Sequence, residues 1–196
     1  MPGIMTSWRQ QYDRMLRSFE RLTAMAEGRQ WADSNDATDA LFHFFQDAYH
    51  LRDWIERDRA VASDPRPLFS NGKRRKNTPA GPAGPLAMQI CGDVCNGVKH
   101  FGEARHPQVD GVIERQDVTV YPSVAGARVQ IASVANPVAS GPGAPRHAWY
   151  IEAAGTTHHA LQVAQDVVVE WDQWLVQHGL LDPGQQHQPV DRHSLL

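Results

Sequence analysis

Four stretches of this chain repeat their apolar residues every three or four positions, a period that commits them to packed helices. The first runs from about Ser7 to Glu27 on Trp8, Tyr12, Met15, Leu16, Phe19, Leu22 and Ala26, with Gly28 as its stop. A second opens after DSNDAT, where Ser34, Asn35 and Asp36 are all N-cap residues. It continues to about Val61 on the stripe Leu41, Phe44 or Phe45, Ala48, Leu51 and Ile55. Leu86, Ile90, Val94, Val98 and Phe101 mark a third, with Pro85 at its first turn. The fourth lies in GTTHHALQVAQDVVVEWDQWLVQHGL, capped by Thr156 or Thr157, with Leu161, Ala164, Val168, Trp171 and Leu175 facing inward and Gly179 near its end. Each stripe must be buried against another, so the pattern predicts a mainly α fold built as a four-helix bundle.

Between the third and fourth helices the texture changes. GVIERQDVTVYPSV, ARVQIASVA and RHAWYIEAA are β-branched, partly alternating segments separated by Gly, Pro and Ser, which predict a small antiparallel sheet of two or three strands inserted at about 108–154. The proline- and glycine-rich segment SDPRPLFSNGKRRKNTPAGPAGP, at 63–85, sustains neither helix nor strand and reads as a long loop. It carries the basic run Lys73, Arg74, Arg75 and Lys76, a local positive patch for phosphate or a solvated surface. One helical domain is expected over 1–181, followed by a polar, flexible tail over 182–196.

A net charge of −3, from 19 basic and 22 acidic residues, supplies no global field toward nucleic acid or an anionic membrane, so any nucleic-acid contact must be local. No apolar run is long enough to cross a bilayer, and the start MPGIMTSWRQQ has no signal-peptide pattern; the reading is a soluble, cytoplasmic protein without a membrane partner. Cys91 and Cys95 fall on consecutive turns of one helix face, a poor disulfide geometry, and read as small core residues in a reducing compartment.

Two polar rows interrupt the apolar pattern. On the second helix His43, Asp47 and His50 share one row, continued by Asp53 and Trp54 and flanked by Arg52; on the third, Asp93, Asn96 and His100 share another, flanked by Lys99. One reading makes them a hydrogen-bonded seam fixing the register of two helices. A second makes them metal ligands, but the chain lacks both Glu-x-x-His and H-E-x-x-H, so no metal and no cofactor is expected; no glycine-rich nucleotide motif occurs either. A third is acid–base chemistry on a phosphodiester, with an imidazole moving protons while Arg52, Lys99 or the basic loop stabilises phosphate charge. All of these gather chemistry only if the two rows turn toward each other. A rival from another class is a non-catalytic interaction protein that docks a partner through an exposed Trp149 and Tyr150.

With Asn96 and His100 near the end of a helix in CNGVKH, the chain resembles the HEPN superfamily (higher eukaryotes and prokaryotes nucleotide-binding), whose ribonucleases carry Arg, a polar residue, three residues and His. Asn96 and His100 match the Asn-x3-His part, and Cys95 stands where the family has Arg. FHFFQDAYHLRDWI and ICGDVCNGVKHF together resemble a set of uncharacterised bacterial and phage proteins with that helical core and a variable sheet insertion. The resemblance covers roughly 39–101 and the last helix. It implies binding of RNA or nucleotide and a degenerate, metal-independent ribonuclease, with His100 as general acid/base, Asn96 orienting it and Lys99 supplying charge. His43, Asp47, His50, Arg52 and Asp93, with the basic loop, would line the substrate side. It further implies a homodimer whose two His100 regions face a shared cleft, and a cognate antitoxin or other protein partner, as in toxin and phage-defence ribonucleases.

Overall fold

The structure, a computed structural model, describes residues 6–30, 32, 34–61, 81–82, 84–100, 120–121, 128–132, 147–153 and 155–187, with the backbone alone at 34, 96–100, 120–121 and 128–132. The chain is mainly helical: α1 (Trp8–Ala26), α2 (Ser34–Arg57), α3 (Leu86–His100) and α4 (Ala160–Gln177), with a small antiparallel sheet between the third and fourth. Helix α1 packs on α2 and α4, α3 packs on the same two, and α2 touches α4 across the middle, which closes the four into a bundle.

Local chemistry sets the helix ends. Ser7 is the N-cap of α1 and its side chain accepts from the Gln10 amide. At the other end Gly28 takes φ 70°, a left-handed conformation in which a Cβ would be strained, and its N–H bonds back to the Met25 carbonyl. The turn after α2 is fastened to the start of α1, because the Asp58 carboxylate accepts the Trp8 N–H at 3.0 Å. Met15, Phe19, Leu22, Leu41, Phe44, Phe45, Leu51, Ile55, Ile90, Val94, Leu161, Val168, Trp171 and Leu175 are buried in one continuous core. The choice between Phe44 and Phe45 that the periodicity left open is resolved by burying both, ring edge to ring face at 5.3 Å. Cys91 and Cys95 are buried thiols outside any disulfide, as small core residues should be.

The sheet has the order β1 (Val120–Tyr121), β2 (Arg128–Ala132), β3 (Ala148–Ala153), β4 (Thr156–His159), every neighbouring pair antiparallel. Strand β3 alternates, with Trp149, Ile151 and Ala153 buried against the helices and Ala148, Tyr150 and Glu152 between them half-exposed. Two corrections to the sequence reading follow. Thr156 and Thr157 do not cap α4; they pair with Ala153 and Glu152 as strand β4, and His159 is the N-cap, without a side-chain cap bond. β-branched threonines suit an extended chain, and Gly155 at φ 71° supplies the reversal that sends them back along β3. Trp149 is not an exposed docking residue: it is 0% exposed, because the alternation that places Tyr150 outward places its neighbour in the core.

The described chain also continues past 181: a short 3-10 turn, Pro183–Gln185, leads to His187, which lies against α1 and α4. Lys73, Arg74, Arg75 and Lys76, most of the loop at 63–85, and 188–196 lie outside the described residues, as does most of 108–146.

Candidate functional site

The α2 row is built first of all from Asp47. Its carboxylate is 5% exposed and receives the Ser18 hydroxyl at 2.7 Å, the Arg14 Nε at 3.0 Å and, more weakly, the Gln11 amide at 3.5 Å. Gln11 also donates to the Asp47 backbone carbonyl at 2.9 Å. Gln11, Arg14 and Ser18 lie three and four residues apart on α1, so one face of that helix closes around one carboxylate. His43, one turn earlier in the same row, is exposed, and His50, one turn later, is half-buried with its ring 6.2 Å from Tyr49.

The other edge of α2 meets α3, where the Cys91 Sγ donates to the Phe45 carbonyl at 3.5 Å. At about 100° per residue, Phe45 lies about 160° around the helix from Asp47, and Arg52 about 140°. The Asp47 row is therefore turned to α1, while Phe45 and Arg52 belong to the edge facing α3. The same reckoning on α3 puts Asp93 about 160° from Cys91, so its row leaves the helix on the side away from the Phe45 contact. Asp93 is 3% exposed. At Asp47 and Asp93, where side chains are described, the two rows thus do not face one another. Asn96, Lys99 and His100 are in the last turns of α3, with side chains outside the described residues.

Arg52 is half-buried and its guanidinium sits 3.5 Å over the centre of the Tyr49 ring, with Asp53 3.5 Å from Nε. Stacking of a guanidinium on a phenol face leaves its edge N–H groups available to planar or tetrahedral anions. Burial pushes the Cys91 thiol well up, Cys95 adds to the rise and Arg52 opposes it, so Cys91 stays a thiol and is no nucleophile. Among the described residues no three or more His, Cys, Asp or Glu side chains are placed to hold a metal ion, and no helix is long and apolar enough to cross a membrane.

A second polar cluster was not anticipated from the sequence. Asp172 of α4 is 3% exposed; the Tyr12 hydroxyl donates to its Oδ1 at 2.6 Å and the His187 backbone N–H to its Oδ2 at 2.8 Å. Burial raises the carboxyl above the usual carboxylate range against the lowering effect of both hydrogen bonds, and burial together with Asp172 raises the Tyr12 phenol well above the ordinary tyrosine value. The one available signal was two polar residues, Tyr12 and Asp172, each set within an apolar stripe.

No family model, no curated protein and no solved structure matches this chain.

Proposed function

We propose that this chain is an HEPN-like helical protein that binds RNA or nucleotide along the edge of α2 that faces α3, with ribonuclease chemistry reduced or lost. The observation that carries the proposal is Arg52 stacked on Tyr49: a cation held in place by an aromatic face, on the edge of α2 that touches α3. Such a pair leaves the guanidinium's edge N–H groups for phosphate oxygens and its outer face for stacking on a base, the two contacts that sequence-tolerant RNA binding uses. The reduced chemistry is supported by Cys95 at the position where the family's ribonucleases carry Arg, and by Asp47 already holding three α1 side chains. His100 and Asn96 keep the roles the resemblance gives them, general acid/base and its orienting partner, and the homodimer and an antitoxin-like partner belong to the same proposal.

The test is fluorescence anisotropy with a labelled single-stranded oligoribonucleotide at two salt concentrations, together with an RNA-cleavage assay. Arg52→Ala is expected to weaken binding by about tenfold and to make it less salt-dependent. If cleavage is present, His100→Ala removes it without changing affinity. Equal affinity of wild type and Arg52→Ala would refute the binding edge, and equal cleavage by wild type and His100→Ala would refute the catalytic role.

A second reading, a non-catalytic protein scaffold, is favoured by the Asp47 cluster, in which Gln11, Arg14 and Ser18 of α1 and Asp47 of α2 are spent on holding the two helices together. It predicts no RNA binding by wild type at all.

A further inference from the structure

The chain reverses after α4 at Gly179, φ 67°, and Leu181, 4% exposed, is the last side chain to enter the core. From there 182–187 crosses the seam between α1 and α4 without burying an apolar side chain: 182–185 are exposed, and Gln186 and His187 are half-buried. Its attachments are polar. Arg9 of α1 reaches up with Nη2 to the Leu180 carbonyl at 3.0 Å and Nη1 to the Gln185 Oε1 at 3.3 Å. The His187 N–H donates to Asp172, and the His187 ring sets its edge against Phe19 at 5.6 Å and 87°. Docking also carries a defect, for the His187 Nε2 is buried with no hydrogen-bond partner among the described residues. Beneath the segment, Tyr12 and Asp172 form their own short bond and do not need it.

A segment fastened by a few exposed or half-exposed hydrogen bonds, with little apolar burial and one buried nitrogen unpaired among the described residues, has little to set against the entropy of ordering six residues. The helices beneath it share a continuous apolar core, to which the segment adds only the cover of the His187 ring over the edge of Phe19. We propose that 182–187 is a detachable strap, which opens while the four helices stay folded and in doing so bares the Tyr12–Asp172 pair and the edge of Phe19. Closed, the strap supplies the backbone N–H that Asp172 accepts and shields the carboxylate from water. Open, it returns that acceptor to solvent, and α1 and α4 present a carboxylate, a phenol and a phenyl ring on one surface. The device is a local order switch at the end of the bundle remote in sequence from the α2 edge.

Amide hydrogen exchange of the full chain, read by NMR across a series of low urea concentrations, tests it. The His187 amide is expected to be protected relative to an unstructured peptide, yet to exchange roughly 100-fold or more faster than the amides of Val167, Val168 and Trp171, with a rate nearly independent of urea below the unfolding transition. Arg9→Ala should raise the His187 rate several-fold and leave the α4 rates where they are. Exchange of His187 at the α4 rate, with the same urea dependence, would overturn the proposal, because the strap would then open only with the whole fold. A fully unprotected His187 amide would overturn it equally, because the strap would never be closed. Should Arg9→Ala fail to fold, the wild-type rates and their urea dependence still decide.

Discussion

Asp47 and Asp172 are both almost completely buried carboxylates, yet they are held in opposite ways. Asp47 has a cation: Arg14 is half in water, and the bond joins two helices that are neighbours in the chain. Asp172 is instead held by a phenol from α1 and a backbone amide from beyond α4, and burial raises its carboxyl. The difference shows where each carboxylate's stability resides. Around Asp47 a charge is balanced and its cation can fall back on solvent; Asp172 has neutral donors alone, and the one it keeps when 182–187 opens is the Tyr12 hydroxyl.

The sharpest way to break the comparison is Tyr12→Phe, which keeps the ring and takes the donor from a buried carboxylate. It should cost about 3 kcal/mol, read from the urea midpoint at constant m-value. Asp47→Ala should cost less, about 2 kcal/mol, because Arg14 and Ser18 are both partly exposed and recover water. A larger loss from Asp47→Ala than from Tyr12→Phe would invert the ranking. Next in size is Gly81→Ala. A Cβ there would stand 2.5 Å from the Trp171 ring, and Trp171 is 1% exposed in the core. About 1 to 2 kcal/mol of overpacking is expected, by the same denaturation measurement.

The smallest effect at neutral pH, and one that grows only in alkali, comes from the phenol that bonds Asp172. Tyr12 is raised in the folded state by burial and by Asp172, so above about pH 10 the unfolded chain loses a proton that the folded chain keeps. The stabilisation is complete below that pH and is lost as pH rises through it and beyond. Wild type should therefore show a falling alkaline limb in its melting temperature that Tyr12→Phe flattens and Asp47→Ala leaves unchanged.

How much of this was legible in the sequence follows from distance along the chain. The stripes of α1, α2 and α4 were readable because a helix stripe is a local, repeating signal, and nearly every residue in them is buried. Asp47 was readable as part of a polar row for the same reason. Its direction was not, since a row at helical spacing identifies a face without saying which neighbour covers it, and α1 rather than α3 covers this one. Thr156 and Thr157 were read as caps because threonine caps helices, and pairing with β3, a tertiary contact, decided otherwise. Trp149 could be placed inside only once the register of β3 was known, because strand alternation fixes opposite faces but not which of them is inward. Tyr12 and Asp172 are 160 residues apart, and no local pattern joins such a pair.

The most direct measurement sets the two edges of α2 against each other by determining oligoribonucleotide affinity and melting temperature for Arg52→Ala and Asp47→Asn in parallel. The predicted result is a double separation: Arg52→Ala loses about tenfold in affinity with its melting temperature little changed, and Asp47→Asn loses several degrees while binding RNA as wild type does. The reverse pattern, with affinity lost at Asp47 and kept at Arg52, would contradict both the structural role of the α1-facing row and the binding edge assigned opposite it.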